Sequence, residues 1–193
     1  MRECTIRRAT RETDIALTLN LDGEGRFSGT SGIGFFDHML CAFATHGGFD
    51  LALEMTGDLE VDCHHSVEDV GIVLGQAFAK LADKNAVARY GSFCIPMDEA
   101  LAFCAVDVSG RPYLVYDCTF QNQAVGGFDC CMAGEFFRAF AMNAGVTLHL
   151  RLLYGENDHH KLEALFKACA HALRAAVAPR EGGPLSSKGV LQA

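Results

Sequence analysis

The sequence predicts an α+β fold made of two similar halves that carry strands and helices in the same order. Strand-like alternation of apolar residues gives way to helical spacing, and this succession occurs twice along the chain. Three sequence blocks also recur in one order, at offsets of 87, 97 and 95 positions, which indicates an internal duplication. The paired blocks are Glu12–Gly23 with Glu99–Gly110, Ala42–Gly48 with Ala139–Gly145, and His64–Glu68 with His159–Glu163.

The first half is predicted to contain four strands and two helices. The segment Phe35–Thr45 has helical spacing and ends at the capping pair Gly47–Gly48. The dipeptide Asp22–Gly23 is typical of a hairpin turn. The three glycines after it (Gly29, Gly32 and Gly34) do not fit a dinucleotide-binding loop and are assigned to a flexible loop. The predicted strands are Thr5–Arg8, Asp14–Leu21, Phe49–Met55 and Leu59–Val61, and the second helix is Val67–Lys84.

The second half is predicted to repeat this order. A turn at Ser109–Gly110 ends its first strand, Gly145 ends its first helix, and Pro179 closes its last helix. The predicted strands are Ala100–Val108, Tyr113–Phe120 and Val146–Leu153, and the predicted helices are Gly134–Asn143 and His160–Val177.

Length and composition limit the classes of function. The chain has 193 residues, of which 50% are apolar and 21% charged, which fits a globular protein with a sizeable core. A net charge of −8 argues against nucleic acid as the main partner. No apolar run approaches the ~20 residues of a membrane span. Because no signal-like segment follows Met1, we expect a cytoplasmic protein that binds no membrane.

The nine cysteines do not suggest a disulfide framework. Cytosolic proteins of this size rarely use one, and the sequence has no CxxC motif. The pair Cys130–Cys131 leaves a redox role open, but packing is the favoured interpretation. Four cysteines stand singly in apolar stretches and are predicted to pack as small hydrophobic residues: Cys41, Cys94, Cys104 and Cys169.

Two HHxxE units are the strongest chemical signal. At a helix start, residues i and i+4 share a face, so His64 lies over Glu68 and His159 over Glu163. Adjacent histidines diverge by ~100° on a helix, so each pair serves two different ions. The units therefore predict a two-metal site, and its N/O ligands suit Mn, Fe(II), Co or Zn.

The alternative is that these histidines are capping or surface residues, which a single short motif would favour. Two units at matching places in a duplicated chain reverse that preference. His38 lies in the matching early helix, and its counterpart at offset 97 is Glu135. Both are candidate ligands, and the less favoured alternative for Glu135 is a solvated carboxylate near a helix start.

Other candidate residues carry weaker signals. Arg89, Arg111 and the tail sequence Ser186-Ser187-Lys188 could together hold a phosphate, or be ordinary surface charge and a polar terminus. Glu12 is a candidate base or a solvated carboxylate. His46 and His171 are interpreted as structural.

Several long motifs resemble those of the imidazoleglycerol-phosphate dehydratase family of histidine biosynthesis, over Arg7 to Leu191. The motifs are Phe36-Asp37-His38-Met39-Leu40, the run His64 to Asp69, Pro96-Met97-Asp98-Glu99-Ala100-Leu101, Asp107 to Tyr113, Asn157-Asp158-His159-His160-Lys161, and Ser186 to Leu191.

The resemblance implies a fold, an assembly and a reaction. Each half would contain a four-stranded sheet, with helices packed between the sheets. Residues 1–193 would form a single dehydratase domain of two repeats, about 1–90 and 91–180, with a phosphate-binding tail at 181–193. The family builds a twenty-four-subunit shell from trimers, with two Mn²⁺ ions in each active site at subunit interfaces. Its members are hydro-lyases that convert D-erythro-imidazole glycerol phosphate to imidazole acetol phosphate and water.

The resemblance also implies roles for individual residues. Many relatives carry histidine where this chain has Glu135. One ion would be held by His38, His65, His159 and Glu163, and the other by His64, Glu68, Glu135 and His160. Glu12 would be the acid/base group, with His64 and Glu163 also catalytic. The substrate-binding residues would be Glu12, His38, His46, Arg89, Arg111, Lys167, Ser186, Ser187 and Lys188.

The chemistry explains why such a site is needed. The substrate loses a hydroxyl from the carbon next to its ring and a proton from the following carbon, which no carbonyl acidifies. Two cations on the ring lower the pKa of its N–H and give an imidazolate. Loss of hydroxide then gives a diazafulvene with an acidic C–H, from which Glu12 can take the proton.

Two other classes of function remain as alternatives. A two-metal hydrolase would activate water and release phosphate from simple esters, which the dehydratase does not. A metal-storage or structural shell protein would have no use for Arg89, Arg111 and the Ser-Ser-Lys tail at one pocket.

Overall fold

The computed structural model describes residues 1–187, 189 and 191, which form two four-stranded sheets with four helices between them. The strands of the first sheet are β1 (Glu3–Ala9), β2 (Thr13–Asn20), β3 (Phe27–Thr30) and β4 (Asp50–Gly57). The second sheet contains β5 (Tyr90–Met97), β6 (Ala100–Asp107), β7 (Tyr113–Asp117) and β10 (Thr147–Tyr154). The helices are α1 (Gly34–Gly47), α2 (His64–Leu81), α3 (Cys131–Ala144) and α4 (Asp158–Ala176), and β8 (Ala124–Val125) with β9 (Phe128–Asp129) forms a small hairpin.

The two sheets have the same topology. The first has the order β1-β2-β4-β3 and the second the order β5-β6-β10-β7. In each, the first two pairings are antiparallel and the last is parallel. The α+β fold with two similar halves, each holding a four-stranded sheet, is therefore confirmed.

Packing between the halves brings the helix starts together in pairs. On α1 and α4, His38 lies near Glu163 and His46 near His171, so the two helices run parallel. On α2, a Cβ added to Gly71 would lie 2.7 Å from the Phe136 carbonyl oxygen, so α3 approaches it closely. The core between the sheets is apolar and rich in phenylalanine: Phe36, Phe49, Phe78, Phe128, Phe136, Phe137, Phe140 and Phe166 are all buried.

Equivalent helices end in equivalent ways. Gly48 after α1 and Gly145 after α3 are 97 positions apart, and both are left-handed caps, with φ of 63° and 65°. Glycine takes this conformation without the steric cost that other residues meet. The capping predicted from the sequence is confirmed in both halves.

Several local predictions were wrong. Asp22–Gly23 is a turn but not a hairpin, since the strand after it pairs with β4, and the Asp22 carboxylate accepts hydrogen bonds from Arg2. Leu59–Val61 is a turn that leads into α2. Gly29 lies in β3 and Gly34 begins α1, so neither belongs to a flexible loop.

The cysteines differ in burial. Cys104, Cys130 and Cys169 are buried, whereas Cys41 and Cys94 are exposed, so the packing prediction was wrong for the latter two. All nine are free thiols. Separately, no helix in the described part of the chain is long and apolar enough to cross a membrane.

Candidate active site

One group of potential metal ligands forms where α1 meets the start of α4. The ligand atoms of His38, His159 and Glu163 all lie within 4.8 Å of one another. Glu163 Oε2 is 3.4 Å from His38 Nε2 and 3.2 Å from His159 Nε2. Two imidazoles and a carboxylate are a donor set that borderline-hard divalent ions such as Mn²⁺ accept, so these residues fit a metal.

Capping contacts fix the first turn of α4. The Asn157 side chain accepts the His159 N–H at 2.9 Å, which is a helix N-cap. Asp158 is buried, pairs with the buried Lys161 at 2.8 Å, and accepts N–H groups of Gln121 and Asn122. These bonds hold the turn that carries His159 and His160 against the rest of the second half.

Glu163 is a buried carboxylate with a cation beside it. Burial raises its pKa, but hydrogen bonding and charge from Lys167, whose Nζ lies 2.5 Å from Oε1, and from His38 outweigh that effect. The net pKa is below the ordinary value, so Glu163 is ionised at neutral pH and can serve as an anionic ligand. Lys167 therefore lies at this ligand group.

The residues of α2 and α3 that correspond to this ligand group lie less close to one another. His64 Nε2 is 3.5 Å from Glu68 Oε2, as expected for positions i and i+4. Glu135 lies on α3, which packs along α2, but its carboxylate pairs with Arg138 at 3.4 Å. In the described residues only the group around Glu163 is close enough to hold an ion by itself.

The second histidine of each unit turns away from its own helix pair. His65 Nδ1 donates to Asp58 at 2.9 Å, and His160 Nδ1 donates to Glu99 at 2.7 Å. The hydrogen bonds that the two histidines donate to Asp58 and Glu99 raise the pKa of both rings. Within one chain, His65 therefore does not join the ligand group of His38, His159 and Glu163. In the same way, His160 does not join His64, Glu68 and Glu135.

Glu12 lies before β2 and close to His65. Its Oε1 is 3.8 Å from His65 Nε2, and it lines a shallow cleft together with Asp58 and Glu60. Analysis of the sequence missed Asp58 and Glu99 as residues that contact the histidines. Glu99 could have been found from the sequence, because the repeat offset of 87 positions pairs it with Glu12.

A basic group lies at the opposite end of α4. The buried Arg89 pairs with Asp107 at 2.6 Å, and Arg111 approaches the same carboxylate at 3.5 Å. Arg89 Nη1 also donates to the Leu185 carbonyl, which places the start of the tail beside it. Ser186 and Ser187 follow directly, and Ser187 is exposed, whereas Lys188 lies outside the described residues.

The basic group and the ligand group are far apart in one chain. The Arg89 N–H donates to the carbonyl of Ala176, the last residue of α4, whereas Glu163 lies near the start of that helix. At 1.5 Å per residue, these two positions are about 20 Å apart along the helix axis. Lys167 is at the ligand end, so the candidate phosphate-binding residues do not converge within one chain.

His46 contacts His171 rather than the ligand group. Its Nδ1 is 3.2 Å from His171 Nε2, and burial lowers the pKa of both rings. The His171 ring also packs on Phe93. The structural interpretation accounts for these contacts, and the substrate-binding role implied for His46 stays a prediction.

Comparison with known proteins identifies a family. The imidazoleglycerol-phosphate dehydratase family matches residues 31–173. The protein of that name from Pelobacter propionicus is 55% identical over 193 residues, covering 98% of this chain and 99% of that protein. The one from Symbiobacterium thermophilum is 57% identical over 189 residues, covering 96% of this chain and 91% of that protein.

Solved structures agree with the sequence comparisons. The imidazoleglycerol-phosphate dehydratase of Staphylococcus aureus superposes with a TM-score of 0.83 at 39% identity, covering 92% of this chain and 99% of that one. The Pyrococcus furiosus protein, solved in complex with (S)-C348, gives a TM-score of 0.84 at 38% identity, covering 96% of this chain and 100% of that one.

Proposed function

The chain belongs to the imidazoleglycerol-phosphate dehydratase family, hydro-lyases of histidine biosynthesis, and we propose how its residues carry out the reaction. The substrate is D-erythro-imidazole glycerol phosphate and the products are imidazole acetol phosphate and water. The observation that carries the proposal is the group of His38, His159 and Glu163, whose ligand atoms lie within 4.8 Å of one another.

Two Mn²⁺ ions would be held by four residues each. Three ligands of each set lie on one pair of packed helices, and the fourth comes from a second copy of the chain. The first set is His38, His159 and Glu163 with His65 of another copy, and the second is His64, Glu68 and Glu135 with His160 of another copy. As Lewis acids, the bound ions would lower the pKa of the substrate's ring N–H.

The separation of the two ends of α4 supports an active site shared between subunits. The substrate is roughly 10 Å long, since its longest path has about eight bonds of ~1.5 Å. It cannot reach from Glu163 to Arg89 within one chain, because these ends are about 20 Å apart. A site at a subunit interface brings the ligand group of one copy to the basic group of another, as in a shell of trimers with twenty-four subunits.

Glu12 is proposed as the group that moves the proton. It lies 3.8 Å from His65 Nε2, so a substrate ring bound at the metal site lies within its reach. Loss of hydroxide from the carbon next to the ring leaves a diazafulvene, whose neighbouring C–H is acidic. The Glu12 carboxylate takes that proton, and the enol formed becomes the ketone. His64 and Glu163 would contribute as ligands of the two ions that bind the substrate.

The phosphate is proposed to lie among basic and hydroxyl groups. Arg111 is exposed and shares the Asp107 carboxylate with Arg89, so both guanidinium groups are held close together. A planar guanidinium group can donate two parallel hydrogen bonds to two oxygens of one phosphate. The other members of this site are Lys167, from the copy that supplies the ligand group, and the tail residues Ser186, Ser187 and Lys188.

The reaction is tested by measuring the products. Purified protein loaded with Mn²⁺ is expected to form imidazole acetol phosphate from the substrate, and the metal-free protein to form none. Release of inorganic phosphate is measured in the same reaction. Phosphate release without ketone formation would overturn the dehydratase proposal and favour a two-metal hydrolase.

Removal of the metal is expected to weaken the assembly, because each ion joins ligands of two copies. Carboxylates raise the pKa of His65 and His160, so at pH 6 protonation competes with metal binding at both rings. Treatment with EDTA at pH 6 should therefore shift the shell toward trimers, and added Mn²⁺ should restore it. Size-exclusion chromatography with light scattering measures the shift, and an unchanged mass would contradict the shared ligands.

A further inference from the structure

Each half of the molecule places a carboxylate on the Nδ1 atom of one histidine. In the second half Glu99 Oε2 lies 2.7 Å from His160 Nδ1, and in the first half Asp58 Oδ2 lies 2.9 Å from His65 Nδ1. An ionised carboxylate only accepts hydrogen bonds, so the ring hydrogen of each neutral histidine is on Nδ1. The Nε2 atom of each ring then carries no hydrogen and can bind another partner, and one exposed carboxylate lies beside it: Asp98 at 3.6 Å from His160 and Glu12 at 3.8 Å from His65.

Further hydrogen bonds hold the Glu99 side chain in this position. Its Oε1 accepts the N–H groups of Glu156 and Asn157, at 3.0 and 2.7 Å. With the bond from His160 on Oε2, the Glu99 carboxylate accepts three hydrogen bonds, which fix its position beside the ring. Its repeat counterpart Glu12 has its carboxylate half exposed and only a 3.8 Å approach to His65. Of the two matching glutamates, Glu99 is therefore held by hydrogen bonds within the described residues and Glu12 is not.

We propose that Glu99 is a positioning residue, which fixes the tautomer and orientation of His160 so that Nε2 is presented to a divalent metal ion. This inference rests on the proposed function, in which His160 is a ligand. A metal-binding imidazole usually donates its other ring N–H to a carboxylate or carbonyl, and loss of that partner typically costs 10–100-fold in metal affinity. Glu99 therefore differs from Glu12, since its carboxylate already accepts three hydrogen bonds.

Replacement of Glu99 by glutamine changes the tautomer of His160 but keeps the hydrogen bonds to the backbone that stabilise the fold. In Glu99→Gln the single side-chain oxygen can keep both backbone N–H groups of Glu156 and Asn157, which leaves the amide nitrogen facing His160 Nδ1. Because that nitrogen only donates, His160 must accept at Nδ1 and carry its hydrogen on Nε2, where it can no longer bind metal. Glu99→Ala instead removes the side-chain acceptor of the two backbone N–H groups, and it imposes no tautomer on His160.

The experiment measures Mn²⁺ binding and thermal stability on the assembled protein. Free Mn²⁺ is followed by electron paramagnetic resonance during titration, and Tm is measured without metal. We expect Glu99→Gln to lose roughly 10–100-fold in affinity for one of two ions while its Tm stays near the wild-type value. Glu99→Ala should show the lower Tm but the smaller loss of affinity. The neighbouring exposed Glu156→Gln, the matched control, should change neither.

The outcomes separate the inference from the proposed function. Two ions bound to Glu99→Gln with wild-type affinity would overturn the inference alone. Loss of affinity in the same order as loss of Tm, with alanine the worse, would also overturn it, because Glu99 would then be merely structural. Failure of the wild-type protein to bind Mn²⁺ would overturn the proposed function together with the inference.

Discussion

Replacement of Glu163 by glutamine is expected to remove one Mn²⁺ ion per chain and with it nearly all turnover. Glu163 is the shared member of its ligand group, with Oε2 at 3.4 Å from His38 and 3.2 Å from His159. A neutral amide is a poorer ligand than a carboxylate for a hard ion, and it leaves Lys167 without its anionic partner. We expect affinity for that ion to fall at least ~100-fold, the upper end for residues that only support a ligand.

Metal analysis and kinetics test this result together. Elemental analysis after gel filtration should find one ion in Glu163→Gln and two in the wild-type protein. Glu156→Gln again serves as control, because it removes the same charge from an exposed position near the start of α4. Two retained ions with normal kcat in Glu163→Gln would show that Glu163 is only a structural partner of Lys167.

The long elements of the fold could be predicted from the sequence because each has a clear period. β2 alternates buried Ile15, Leu17 and Leu19 with more exposed residues, and it lies inside its sheet. The missed strands β3 and β5 are edge strands that lack this alternation. In β3 only Phe27 is large and apolar, and β5 contains Gly91 and Pro96, which disfavour strands on propensity alone. Tertiary pairing with β4 and β6 decides their structure.

The candidate site was predictable to the extent that it follows helix periodicity. His159 and Glu163 meet because they are four positions apart on α4, and the duplication pointed to His38. The contacts of His65 and His160 could not be predicted in this way. They depend on Asp58, in the loop between β4 and α2, and on Glu99, in the turn between β5 and β6 and 61 positions from His160. Neither carboxylate belongs to the helix of its histidine, and the two reach the rings through the packing of sheet ends on helix starts.

The duplication also explains why two equivalent glutamates have different tasks. Glu99 precedes β6 as Glu12 precedes β2, but the loop before α4 donates two N–H groups to Glu99. On the side of Glu12, Asp58 occupies the Nδ1 atom of His65, so Glu12 faces Nε2 instead. The Nδ1 atom of one histidine is thus supported by a carboxylate in both halves, and of the two matching glutamates it is Glu12, not Glu99, that lacks backbone hydrogen bonds to its carboxylate from the described residues.

Replacement of Glu12 by glutamine is therefore expected to lower kcat by about 10²–10⁴-fold, the usual contribution of a general acid/base group. Both Mn²⁺ ions should remain, because Glu12 is in neither ligand set, and KM should change little, since glutamine has the same size. Glu60→Gln is the matched control: it removes the same charge from the same cleft, and it should leave kcat unchanged. Steady-state assays of ketone formation, with metal content measured on the same samples, give both values. A Glu12→Gln enzyme that loses an ion along with its activity would place Glu12 at the metal instead, and normal turnover would assign the proton transfer to a different group.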